Sequence, residues 1–199
     1  MHIVPYAYVL QTLQAQGLIP LYPNGGAFGW PSTLTPRFAG WIGPADGTIR
    51  PDMLGIAERI DPPYASNLAR RLIVTCTEHL PGDVWLMPQA HWHFELHDSA
   101  QSWLPGLLRQ IGIDPSHLET SNHADAVCFS PGDLPLLELA VSVLLEHLQL
   151  SDFWLAFPGR NVTALLHHHQ QIWWMSDPAS DFILSNNDEI PRSTRASDH

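Results

Sequence analysis

Lysine is absent from the 199-residue chain, so all nine basic side chains are arginine. That absence removes several chemistries. A Walker-type phosphate loop, a pyridoxal phosphate enzyme, a Schiff-base aldolase and a protein kinase each need a lysine amine at a defined place. Cysteine is nearly missing too: Cys76 and Cys128 stand far apart in apolar surroundings, which excludes a disulfide framework and a four-thiolate zinc site. No apolar run is long enough to cross a bilayer. The sequence also contains no G-x-S-x-G, no G-x-G-x-x-G and no H-E-x-x-H, so no familiar nucleophile, dinucleotide or zinc-protease motif supplies a function.

Positive charge is scarce against twenty acidic residues, giving a formal net charge of -11 with histidine neutral. Such a field repels phosphate backbones, so neither nucleic acid nor an anionic membrane is an expected partner, whereas a basic protein surface is one. The opening segment MHIVPYAYVLQTLQAQG has no basic region and shows the spacing of an amphipathic helix, which points to a cytoplasmic protein.

Aromatic and apolar residues are plentiful, with 45% hydrophobic content and eight tryptophans. The composition suits one globular domain over 1–180, followed by a polar tail over 181–199 too hydrophilic to offset its ordering entropy. Helices are predicted from about Pro5 to Gln16, from Asp61 toward Pro81, from Asp98 or Ser99 to Ile111, and over Leu134 to Leu148. Strands are predicted at 83–87, 125–130, 153–157, 162–169 and 172–176, with a short one at 38–42. Strands and helices alternate without a strict βαβ rhythm. The expected fold class is therefore α+β, a mixed or mainly antiparallel sheet with helices packed on one face. Between Pro20 and Pro51, six prolines and six glycines surround several aromatics. That composition suits a segment wrapped over the core.

Histidine is the abundant functional group, with twelve in the chain. His91, His93, Glu95 and His97 alternate with Trp92, Phe94 and Leu96, a period-two pattern that predicts a strand with one proton-transferring face. The three residues before it predict a hairpin with strand 83–87. Alternate residues on a strand stand about 7 Å apart, so two neighbours at most share an ion. Zinc would then need a ligand from elsewhere, and the run His167, His168, His169 supplies one if the two strands pair. His91, His93, His167 and His169 are the candidate metal ligands, and Glu95 is the candidate general base. Cys76 with His79 is a weaker thiol-base pair, and His117, Glu119 and His123 lie in an expected loop.

The adjacent pair Trp173 and Trp174 offers one indole to each face of its strand, as Trp154 does beside Phe153. Trp154, Trp173, Trp174 and Arg160 are the candidate interface residues. Acidity, tryptophan content and missing motifs favour a non-catalytic acidic binding protein, inhibitor-like or immunity-like, that engages a basic protein partner and needs no cofactor. The alternative is a metal-dependent hydrolase whose zinc, or another divalent cation, is held by histidines from two strands.

Overall fold

The computed structural model describes residues 1–30, 37–38, 64–168 and 170–177. Its strands are β1 (His2–Val4), β2 (Ile19–Pro20), β3 (Phe28–Gly29), β4 (Arg37–Phe38), β5 (Val84–Pro88), β6 (Ala126–Phe129), β7 (Phe153–Ala156), β8 (Val162–His167) and β9 (Gln171–Ser176). Its α-helices are α1 (Tyr6–Ala15), α2 (Tyr64–His79), α3 (Trp92–His97), α4 (Leu104–Gln110), α5 (Ser116–Glu119) and α6 (Leu134–His147). Seven strands form one sheet in the spatial order β1-β6-β5-β7-β8-β9-β4, and every pairing in it is antiparallel. The fold is thus α+β, an antiparallel sheet with helices packed against it.

Two apolar clusters sandwich that sheet. One gathers Leu68, Leu72 and Cys76 of α2 and Leu137, Val141, Leu144 and Leu145 of α6 with Trp92, Leu155, Leu166 and Trp174. These helical residues recur three and four apart, so each helix presents one apolar stripe to the sheet. The other cluster joins Tyr6, Val9 and Leu13 of α1 to Phe28, Trp30, Trp85, Met87, Trp154 and Leu165 on the opposite face. The sheet is therefore covered on both sides, with α1 on the face away from α2 and α6. All five residues of β5 are buried, as expected of a central strand with no solvent face. Gly17, at φ +86°, takes the left-handed conformation that ends α1.

Several expectations fall outside the described residues: the tail over 181–199, the start of a helix at Asp61, and residues 39–42 of the short strand. Of the Pro/Gly-rich segment, Phe28 and Trp30 are buried, and the rest beyond residues 37–38 is likewise outside. Downstream, 98–111 is divided into a 3-10 turn at Ser99–Gln101, capped by the Asp98 carboxylate, and α4.

The largest departure concerns His91 to His97. The stretch is helix α3, not a strand, and it forms no hairpin with β5. Trp92 and Glu95, three apart, are buried, while His93, Phe94 and His97 face solvent, which is helical periodicity. His91 serves as N-cap, its Nδ1 accepting from the Phe94 N–H. Trp92 then anchors the helix by donating from Nε1 to the Asp125 carbonyl at 2.6 Å.

Candidate metal centre

Strand β7 begins beside β8 with Phe153 opposite Leu166, so the next antiparallel position sets Asp152 against His167. Backbone contacts fix Asp152 further. Its carbonyl accepts from Gln89 N–H at 2.8 Å, which ties it to the exit of β5, and its Oδ1 accepts from His168 N–H at 2.9 Å. The hairpin joining β8 to β9 turns tightly, with Gln170 at φ +61° donating its N–H to the His167 carbonyl. That turn brings His168 back over the same carboxylate.

Asp152, His167 and His168 accordingly form one compact group, each offering a donor atom within 4.8 Å of the other two. His168 Nδ1 lies 2.8 Å from Asp152 Oδ1, and His167 Nε2 lies 4.0 Å from Asp152 Oδ2. The two imidazoles stack at 4.2 Å between centroids, and Trp173 stacks on His167 at 4.4 Å with an interplanar angle of 6°. Stacking on both sides fixes the plane of His167. Burial pushes the Asp152 carboxyl up. The hydrogen bond from His168 and the charges of His167 and His168 outweigh that push, so it ends below its ordinary value and stays ionised.

A second carboxyl stands behind the first. Glu95 is only 1% exposed, and its Oε2 accepts from Ser151 Oγ at 2.7 Å, immediately before Asp152 in the chain. Burial raises Glu95 to about 7; the Ser151 hydrogen bond opposes this, while the Asp98 and Asp152 charges add to it. Two carboxyls near one another are therefore held in opposite states, Asp152 as the anion and Glu95 ready to give or take a proton near neutrality.

Of the histidines singled out in the sequence, His167 joins this centre, and His169 lies outside the described residues. The assumed pairing of the two histidine segments is not made, because β8 pairs with β7 and β9. Segment 91–97 instead meets the residue before Asp152, through the Ser151 hydrogen bond to Glu95. His93 and His97 belong to a surface group with Glu119, and His91 caps α3 beside them. Asp152, Ser151 and His168 were missed, although the turn at Pro158–Asn161 sets a register that predicts Asp152 opposite His167.

The remaining candidates have ordinary surroundings. Trp154 and Trp174 are 5% and 4% exposed in the two cores, and Trp173 covers His167. Arg160 donates from a guanidinium nitrogen to the Pro81 carbonyl at 3.3 Å. Burial pushes the Cys76 thiol up to about 12, which removes any thiolate for His79 to support.

No family model, curated protein or solved structure matches the chain. Function must be read from the site itself. The Asp-His-His cluster overturns two expectations drawn from composition, the non-catalytic acidic binder and the absence of any cofactor, because it offers a buried donor set suited to a divalent ion. No described helix is long and apolar enough to cross a membrane.

Proposed function

We propose that this protein is a metal-dependent hydrolase whose divalent cation, zinc in the first instance, is held by Asp152, His167 and His168. The observation that carries the reading is the convergence of three donor atoms within 4.8 Å around an ionised, buried carboxylate. Two imidazoles and one carboxylate are a donor set that zinc takes in catalytic sites, where three protein ligands leave a position open. Tetrahedral zinc spaces its donors about 3.4 Å apart, so the 4.0 Å between His167 and Asp152 needs only a small contraction. His168 must exchange its Nδ1 hydrogen bond to Asp152 for the metal, its ring proton moving to Nε2, and because ligating imidazoles must be neutral, binding weakens in acid.

A bound cation of this class supplies Lewis acidity, lowering the pKa of water and polarising a carbonyl or phosphoryl oxygen. The chain's own residues then do three things. Trp173 and Asp152 orient the two imidazoles, Glu95 takes or gives the proton, and the Ser151 hydroxyl connects Glu95 to the strand end that bears Asp152. The net charge of -11 favours uncharged or cationic substrates over nucleic acids. A reducing, cytoplasmic setting accords with the two buried free thiols.

Metal analysis of untagged protein after exhaustive dialysis tests the reading. Metal content should fall by one equivalent in Asp152→Asn and in His168→Gln. Zinc-dependent turnover of p-nitrophenyl acetate should fall about 100-fold in Glu95→Gln, the scale of a lost general acid-base. Metal content that is substoichiometric in the wild type, or equal in wild type and both ligand variants, would overturn the reading.

A further inference from the structure

We propose that the exposed face of α3 carries a second divalent-cation site, with His93 and His97 ligating through Nε2 and Glu119 of α5 supplying a carboxylate oxygen. The inference begins with tautomers. His93 Nδ1 lies 2.9 Å from the Glu119 carbonyl oxygen, and His97 Nδ1 lies 2.8 Å from the His93 carbonyl oxygen. A carbonyl has no hydrogen, so both Nδ1 atoms carry the proton and donate it. Each Nε2 therefore bears a lone pair. Imidazoles that bind metals show this same division of labour, one nitrogen donating to a carbonyl while the other ligates.

The spacing places the two rings side by side. His93 and His97 are four apart on a helix, hence on one face, and their ring centroids are 4.2 Å apart. His97 Nε2 is 4.0 Å from Glu119 Oε1. Zinc donors stand about 3.4 Å apart, so His97 and Glu119 need only a small contraction, while the exposed His93 ring must turn to bring its Nε2 into the set. His91, whose ring centroid is 6.3 Å from that of His93, does not belong to it. Its Nδ1 accepts from the Phe94 N–H, which puts its proton on Nε2, the reverse tautomer.

Imidazole suits zinc, copper and nickel, and zinc also accepts a carboxylate oxygen as third ligand. Such an ion would join α3 to α5. Since α3 also carries Glu95 on its buried side, occupancy of the outer site would hold in place the helix on which the proposed proton-transfer group stands. The outer site shares no ligand with the Asp152 centre, so it stands whether or not that centre binds metal.

Zinc titration of the chelator-stripped full chain by calorimetry tests the proposal, with the Asp152→Asn variant isolating the outer site. That variant should retain one equivalent of binding. Adding either His93→Gln or His97→Gln should weaken it at least tenfold, Glu119→Gln should weaken it less, and His117→Gln should leave it unchanged. Nitrogen-detected NMR of the wild type needs no substitution: zinc should move the Nε2 resonances of His93 and His97 and leave His91 in place. Unmoved His93 and His97 resonances, or titrations indifferent to both glutamine variants, would overturn the outer site. Equal stoichiometry in wild type and Asp152→Asn would instead count against the inner one.

Discussion

Glu95→Gln should reshape how stability depends on pH. In the folded chain this carboxyl is raised from an ordinary 4.5 to about 7, chiefly by burial, against the Ser151 hydrogen bond and with help from Asp98 and Asp152. Between those two values the native state binds more protons than the unfolded state, so stability falls as pH rises through the interval and levels off above about 7. At roughly 1.4 kcal/mol per pH unit, the loss attributable to Glu95 between pH 4.5 and pH 8 is about 3 kcal/mol. Glutamine keeps an acceptor for the Ser151 hydroxyl but carries no charge at any pH. Urea unfolding of both proteins at pH 5, 6, 7 and 8, with chelator present so that no metal contributes, gives the two profiles. The difference between them isolates Glu95, because the histidines are common to both. Asp152, lowered from 3.8 in the folded state, is ionised throughout this range. The variant should gain about 2.5 kcal/mol relative to wild type from pH 5 to pH 8, and parallel profiles would refute the assignment of a buried, proton-holding carboxyl.

Two further substitutions test the scaffold that positions the site. Trp92→Phe keeps the buried ring but removes the hydrogen bond to the Asp125 carbonyl, and should cost about 1–2 kcal/mol by urea unfolding; an unchanged midpoint would mean that this bond does not hold α3. Gly26→Ala places a Cβ against the Pro88 carbonyl oxygen and Met87 Cβ, where Gly26 N–H already donates to Pro88 at 3.0 Å. Overpacking there should cost about 1–3 kcal/mol and loosen the strand exit that fixes Asp152, measurable as faster amide exchange at Gln89.

The elements with strong local signals were legible. Helices α1, α2 and α6 and the meander β7-β8-β9 follow from apolar spacing, turn residues and aromatic content, and all appear close to their predicted bounds. Segment 91–97 was misread for a definite reason. In seven residues, alternation and a helical stripe overlap, and what decides is one local cap, His91 on the Phe94 N–H, and one tertiary contact, Trp92 reaching the Asp125 carbonyl. The metal cluster was half visible. His167 lay on a correctly placed strand, and the turn at Pro158–Asn161 already implied that the residue before Phe153 faces it. Nothing in the local pattern around Asp152 marks it as a ligand apart from that register. The place of His168 could not be read at all, since it depends on how the β8–β9 turn folds back over Asp152.

The cost of Glu95 bears on the proposed site. A glutamine in its place could accept the same Ser151 hydrogen bond without the roughly 3 kcal/mol penalty above neutrality, so packing and fold specificity alone do not call for an acid. Asp152 does not explain it either, because its negative charge makes Glu95 harder to ionise. A divalent cation on Asp152 reverses the sign of that neighbour. It would neutralise the charge that now raises Glu95 and lower its proton affinity, so that metal binding and carboxyl ionisation favour one another. Under the proposed function, Asp152 as the anion and Glu95 exchanging its proton near neutrality then act as a single unit rather than two unrelated burials. Zinc added to the protein should accordingly shift the Glu95 titration to lower pH, and the Asp152→Asn variant should show no such shift.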